Sequence, residues 1–110
     1  MEALAITKNV RMSARKVREV TRQIQGLPAL QAQAVLAIVP RKSARLVAKT
    51  LKSAIANAEN TNSAKVEALR VSEAVTGQAR TLKRFRPRAR GSAGPILKRS
   101  CHIRIVVTDQ

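Results

Sequence analysis

The chain of 110 residues is 45% apolar, and its 22 Lys and Arg against 6 Asp and Glu give a formal net charge of +16. This length supports one domain, and because a single Phe is the only aromatic residue, the core must be small and aliphatic. Because the chain has one Cys, an intrachain disulfide and a metal site built from several cysteines are excluded. The sequence shows no signal peptide and no run of ~20 apolar residues, so we expect a cytoplasmic protein that does not enter a membrane.

The first two predicted elements are a strand and a helix. Side chains alternate with a period of two from about residue 3 to 11, which predicts the strand. Over about residues 14–25 three apolar residues recur at helical spacing, namely Val17, Val20 and Ile24. We expect the hydroxyl of Ser13 to cap this helix by accepting a hydrogen bond from a free backbone N–H group.

Two more helices are predicted before the chain turns. A short uncharged helix opens at Pro28, which is tolerated at a first helical position, and ends before Pro40. Because it carries no charge, we expect it to pack into the body of the protein. Residues 41–60 give the strongest helical signal, with Ala, Val, Leu and Ile repeating at i, i+3, i+4 and i+7. The polar run 60–63 is predicted to be a turn.

A basic segment lies between two further predicted strands, at about 66–76 and 102–108. Residues 74–108 contain nine Lys or Arg and no Asp or Glu. Gly, Pro, Ser and Ala concentrate between Pro87 and Pro95, which suits the tip of a hairpin. The simplest topology is a long antiparallel hairpin that joins the sheet at its base and reaches about 30 Å beyond the body. The single domain then has a body, residues 1–77 and 102–110, and a basic hairpin, residues 78–101.

So many unpaired cations must lie in water or against a polyanion, because burial would remove their hydration. Arg outnumbers Lys, and its planar guanidinium grips phosphates in pairs and stacks on bases. Nucleic acid is therefore favoured as the partner over an anionic membrane. A disordered basic loop that only solubilises the protein is the alternative, but Pro87, Gly91, Gly94 and Pro95 punctuate the segment as a turn would.

The predicted nucleic-acid contacts fall into two sets. On the body, cations recur along two helices without a lattice of acidic partners, which favours phosphate contact over a merely solvated face. The body set is Arg11, Arg15, Lys16, Arg18, Arg22, Lys42, Arg45, Lys49 and Lys52. The hairpin set is Arg80, Leu82, Lys83, Arg84, Phe85, Arg86, Pro87, Arg88, Arg90, Gly91, Lys98, Arg99 and His102. We expect four of these to lie along one edge at a spacing of two: Arg84, Arg86, Arg88 and Arg90.

Three single residues invite a chemical role. Phe85 either stacks on a base or covers part of the hairpin's own backbone. His102 is interpreted as structural or as a phosphate contact, and Cys101 as a small buried hydrophobic residue. The sequence has no nucleophile elbow, phosphate-binding loop, dinucleotide fingerprint or metal-ligand cluster, so we predict no enzyme, cofactor or metal.

Several short blocks occur at characteristic intervals. In the hairpin and the last strand they are Lys83, Arg88-Ala89, Gly91-Ser92, Ile96-Leu97-Lys98-Arg99, His102-Ile103, Ile105 and Val107. In the helices they are Ser13-Ala14, Lys16-Val17-Arg18 and Ser53-Ala54-Ile55-Ala56-Asn57-Ala58-Glu59. In these blocks, and over essentially its whole length, the chain resembles the family of bacterial large-subunit ribosomal protein twenty-two.

The resemblance implies an α+β fold, with three helices packed on a small antiparallel three-stranded sheet and a long protruding β-hairpin. It implies a structural constituent of the large ribosomal subunit that binds large-subunit rRNA and supports subunit assembly. The hairpin would line the nascent-peptide exit tunnel. Partners would be the rRNA, neighbouring large-subunit ribosomal proteins and the nascent polypeptide, without homo-oligomers. In the family, changes in the hairpin near a Met-Lys-Arg motif are associated with macrolide resistance. Here that motif reads Leu82-Lys83-Arg84, which keeps an apolar first residue.

Two other functions remain open from the residues themselves. An architectural DNA-binding protein also uses basic β-arms with a Pro at the tip, but it is normally a dimer, and the sequence suggests no spare apolar surface for an interface. A basic ribonuclease would need an acid and a base close together, and loss of RNA cleavage on replacing His102 would support it.

Overall fold

The computed structural model describes residues 2–109 and confirms the α+β class. The elements are β1 (Glu2–Val10), α1 (Ala14–Ile24), α2 (Ala29–Ile38), α3 (Lys42–Asn62), β2 (Arg70–Gln78), β3 (Leu82–Pro87), β4 (Ala93–Lys98) and β5 (Cys101–Thr108). A short 3-10 turn, Val66–Ala68, precedes β2, and a second one, Ala89–Gly91, separates β3 from β4. The predicted body also included Met1 and Gln110, which lie outside the described residues.

The body is a two-layer structure with β5 at its centre. β5 runs antiparallel to both β1 and β2 in the order β1-β5-β2, so that Ala5 and Ala74 flank Ile105. Every second residue of β5 points to the helical layer, where Cys101, Ile103 and Ile105 are fully buried. The helices cover this face, with α3 against β1 and β5, and α1 against β2. One aliphatic core therefore holds the body together, as the composition requires.

Two bulges adjust which side chains the edge strands bury. In β1 the register shifts between Thr7 and Val10, where Asn9 has a φ of 58°. In β2 it shifts between Val71 and Glu73. A strict period of two would place Val71 and Val75 on one face, but the bulge turns Ala74 to the core and exposes Val75.

Some apolar surface is left uncovered. No described helix packs on the outer face of the sheet, where Leu4 and Ile6 are about half exposed. Helix α2 buries Leu36 in the core, as expected from its lack of charge, but leaves Ile38 81% exposed. The expectation that the protein has no spare apolar surface is therefore wrong.

Three helix termini differ from the predictions. Ser13 holds the N-cap position of α1, but its side chain makes no capping hydrogen bond. Pro28 is the N-cap of α2 rather than its first helical residue. The predicted turn at 60–63 is instead the last turn of α3, which continues to Asn62 before Ser63 adopts a left-handed φ of 53°. Backbone hydrogen bonding thus extends α3 through polar residues of weak helix propensity.

The hairpin forms a separate two-stranded sheet. β3 and β4 pair from Leu82 opposite Lys98 to Pro87 opposite Ala93. At its base the Ala79 N–H donates to the Ser100 carbonyl at 3.1 Å, linking this ladder to the β2–β5 ladder. Each paired arm has six residues, about 20 Å of strand, so the regular arms are shorter than predicted. The described chain still measures 62 × 25 × 16 Å, because the hairpin protrudes.

Candidate nucleic-acid interface

The hairpin exposes its charges without neutralising them. Every residue from Leu82 to Ala93 is exposed. Ion pairs join Arg41 to Glu19 and Arg104 to Glu73, and among residues 2–109 no hairpin cation is paired with a carboxylate. A surface of this kind attracts polyanions at long range and releases counterions when it binds them.

The two faces of the hairpin differ in chemistry. Because side chains alternate along a strand and directly paired residues share a face, the register divides the hairpin into two sets. We name the first the cationic face, made of Leu82, Arg84, Arg86, Gly94, Ile96 and Lys98. We name the second the apolar face, made of Lys83, Phe85, Pro87, Ala93, Pro95 and Leu97. One thin ribbon therefore presents guanidinium groups on one side and an apolar strip on the other.

The tip interrupts the predicted row of four arginines. The Arg88 N–H donates to the Ser92 carbonyl at 2.7 Å, closing a tight turn in which Arg90 and Gly91 have φ values of 63° and 74°. Only Arg84 and Arg86 of that row lie on β3. The Arg88 side chain lies over Gly94, where an added Cβ would come within 2.6 Å of its Nε atom. Arg88 thus extends the cationic face, while Arg90 projects from the turn.

The body cations lie on the exposed sides of their helices. On α1 the exposed cations are Arg15, Lys16, Arg18 and Arg22, and on α3 they are Lys42, Arg45, Lys49 and Lys52. Arg11 is exposed in the loop after β1, and Arg80 and Arg99 are exposed beside the hairpin base. The two helical stripes therefore present their charges to solvent while the opposite sides of both helices form the core.

One cation that the spacing rules missed is Arg41. It lines a groove of about 540 Å³ with Arg15, Lys16 and Lys42, where the N-terminal ends of α1 and α3 meet. It also forms an ion pair with Glu19 across the two helices. Arg41 follows Pro40 and precedes the first turn of α3, outside the helical periodicity, so only the packing of the helices brings it to this surface.

The three residues singled out for chemistry have distinct environments. Phe85 is 76% exposed on the apolar face, so it does not cover the hairpin backbone and is free to contact a partner. His102 lies on β5 in the body, where its Nδ1 accepts the Asn9 N–H at 3.1 Å, which supports a structural role. Cys101 is fully buried, as predicted, and burial raises the pKa of its thiol.

Neither a metal-ligand cluster nor a membrane-spanning helix is found among residues 2–109. Within residues 2–109 no three His, Cys, Asp or Glu side chains come together as ligands for a metal ion. No described helix combines the length and apolar character needed to cross a bilayer.

Comparison with known proteins gives a consistent result. The profile of the family described as ribosomal protein L22p/L17e matches residues 5–108. The chain is 54% identical over 109 residues to the large ribosomal subunit protein uL22 of Opitutus terrae, covering 99% of this chain and 96% of that protein. It is 52% identical over 106 residues to uL22 of Ligilactobacillus salivarius, covering 96% and 92%. It is 48% identical over 110 residues to uL22 of Clostridium novyi, covering 100% and 99%.

Proposed function

Because the chain belongs to the ribosomal protein L22p/L17e family, we propose that it binds large-subunit rRNA through its body and carries its hairpin into the nascent-peptide exit tunnel. Membership makes it a structural, non-enzymatic component of the large subunit of the cytoplasmic ribosome. The observation that carries the proposal is the protruding hairpin, whose exposed cations have no carboxylate partners in residues 2–109.

In this proposal the body and the hairpin have different tasks within one domain. The body, residues 1–77 and 102–110, holds backbone phosphates with the cations of α1 and α3. The hairpin, residues 78–101, enters a crevice of folded rRNA that it recognises by shape more than by base sequence. A molecule 62 Å long contacts well-separated rRNA segments at once, which supports assembly of the subunit.

The two-faced hairpin suits a wall of the tunnel. Its cationic face neutralises rRNA phosphates, while the apolar face, with Phe85 exposed, is available to nucleobases and to the nascent polypeptide. The protein acts as a single copy beside neighbouring large-subunit proteins, since a net charge of +16 repels a second copy.

Binding to large-subunit rRNA over a series of salt concentrations tests the nucleic-acid part. We compare the double variant R84A/R86A with K8A/K65A, which removes two cations outside the predicted interface. R84A/R86A should lower the slope of log Kd against log salt by about 0.7 to 0.9 per lost phosphate contact, and K8A/K65A should leave it unchanged. Equal slopes for both variants, or tighter binding to duplex DNA than to rRNA, would contradict the proposal.

A site-specific photo-crosslink tests the tunnel part. A photoreactive phenylalanine analogue at position 85, in ribosomes stalled during translation, should crosslink to the nascent polypeptide. The same analogue at position 38, an equally exposed apolar site on α2, should not. Crosslinking from both positions, or from neither, would contradict the tunnel part of the proposal.

A further inference from the structure

A crevice of about 750 Å³ lies where α1 meets the base of the hairpin. Its body wall carries Arg15, Arg18 and Arg22, and its hairpin wall carries Lys83 and Arg99. The residues of the body wall and those of the hairpin wall are more than sixty positions apart in the sequence, so only the fold brings the two walls together. The crevice joins what the sequence presents as two independent basic sites.

The crevice has a strong excess of positive charge. Glu19 is the carboxylate on its lining, and that group already forms an ion pair with Arg41 at the start of α3. Five cations thus face one concave space with little neutralisation. Without an anion between them, the mutual repulsion of the like charges on the facing walls favours opening of the crevice.

The position of the crevice makes it a junction between rigid parts. The β2–β5 ladder ends with Gln78 opposite Cys101, and the β3–β4 ladder begins with Leu82 opposite Lys98. Between them the chain is held by the Ala79–Ser100 hydrogen bond, and beside it Arg18 Nη2 donates to the Thr76 carbonyl at a long 3.4 Å. Such sparse support leaves the angle of the hairpin open to influence from whatever fills the crevice.

We propose that this crevice clasps one stretch of RNA phosphodiester backbone, and that the bound stretch fixes the hairpin's angle to the body. The proposal rests on the proposed function, since the RNA is the large-subunit rRNA. A phosphodiester chain lying between the walls presents acceptor oxygens to both of them. A guanidinium group on either wall can donate two parallel hydrogen bonds to such oxygens, because its N–H groups have a fixed planar geometry. The RNA therefore replaces the missing counter-charge and brings the two walls together.

A double-mutant cycle on the full-length protein tests whether the two walls share one ligand. R18A removes a cation from the body wall, and R99A removes a cation from the hairpin wall. The affinity for transcribed large-subunit rRNA is measured for each single variant and for the double variant. If one RNA stretch bridges the walls, the double variant should depart from additivity by about threefold or more. The matched pair R45A and R99A, which combines α3 with the hairpin wall, should be additive.

A distance measurement tests the effect on the hairpin angle. Spin labels at Glu59→Cys on α3 and Ala93→Cys near the tip, in a C101A background, report the distribution of body-to-tip distances. Binding of rRNA should narrow this distribution in the parent protein and leave it broad in R18A/R99A. Inorganic phosphate in place of rRNA should not narrow it, and narrowing by phosphate alone would assign the crevice to a small anion and overturn the proposal.

The outcomes separate this inference from the proposed function. If the parent protein did not bind rRNA, both the proposed function and the clasp would be wrong. Tight rRNA binding with additive R18A and R99A effects, or with a distance distribution that these substitutions do not change, would overturn the clasp and leave the rRNA-binding function standing.

Discussion

Leu51 and Leu97 show how the same side chain serves different purposes in the body and in the hairpin. Leu51 is fully buried between α3 and the sheet, whereas Leu97 is 46% exposed on the apolar face. We expect L51A to lower the free energy of unfolding by about 2 to 5 kcal/mol, because it leaves a cavity in a close-packed core. L97A should cost less than about 1 kcal/mol.

Urea unfolding followed by far-ultraviolet circular dichroism measures both changes, since the chain has no Trp or Tyr to report folding by fluorescence. A comparable loss of stability in the two variants would show that the hairpin contributes to the core.

Cys101 gives a second prediction, on pH. Burial raises the pKa of its thiol above the ordinary value of 9.0, so the folded state favours the neutral thiol. The stabilisation is complete below the unfolded pKa and is lost as pH rises through the folded pKa. The parent protein should therefore lose stability relative to C101A as the pH rises above the ordinary thiol pKa of 9.0. A difference that stays constant over this rise in pH would mean that the thiol is hydrated in the folded state.

Among the larger elements, the hairpin is separable from the fold. None of the buried core residues lies between Val75 and Ser100. Replacing residues 82–98 by an Asn-Gly turn should therefore preserve the helical dichroism and shift Tm by less than about 4 °C. Thermal denaturation of the shortened protein checks this, and loss of the cooperative transition would show that the hairpin is needed to form the β2–β5 ladder.

The elements could be predicted wherever one periodicity continues without interruption. The buried stripes of α1 and α3, and the alternation in β5, placed these elements to within about two residues. The bulge at Ser72 escaped prediction because one inserted residue reverses the facing of every later side chain in β2. The predicted row of four arginines is broken at Arg90, because the left-handed backbone of the turn at that residue has no signature in the spacing.

The candidate interface shows the same division. Individual cations could be chosen from charge alone, but neither the pairing of Arg41 with Glu19 nor the approach of α1 to Arg99 has a local signature. Those contacts arise from tertiary packing between distant parts of the chain. The periodicity of charges within one helix therefore cannot predict them.

For the whole molecule, charge acts in opposite directions on folding and on binding. The free protein has a net charge of +16, so self-repulsion opposes its compact state. Added salt screens this repulsion, and we expect Tm of the free protein to rise by about 4 °C or more between low and high salt. Affinity for rRNA should fall over the same range.

Thermal melts and binding titrations in matched buffers measure the two effects together. The protein shortened at the hairpin is the control, because with fewer like charges its Tm should respond less to salt. A Tm that falls with added salt would indicate that ion pairs, rather than repulsion, dominate the electrostatics of the fold.

The separation of the hairpin from the core has an evolutionary consequence. A substitution within the core must satisfy the packing of its neighbours, and most alternatives would bring the protein below the stability needed to persist in the cell. Replacements along β3, β4 and their connecting turn avoid that penalty, so selection judges them only by how the assembled ribosome performs. We therefore expect substitutions to be tolerated more readily in the hairpin than in the core.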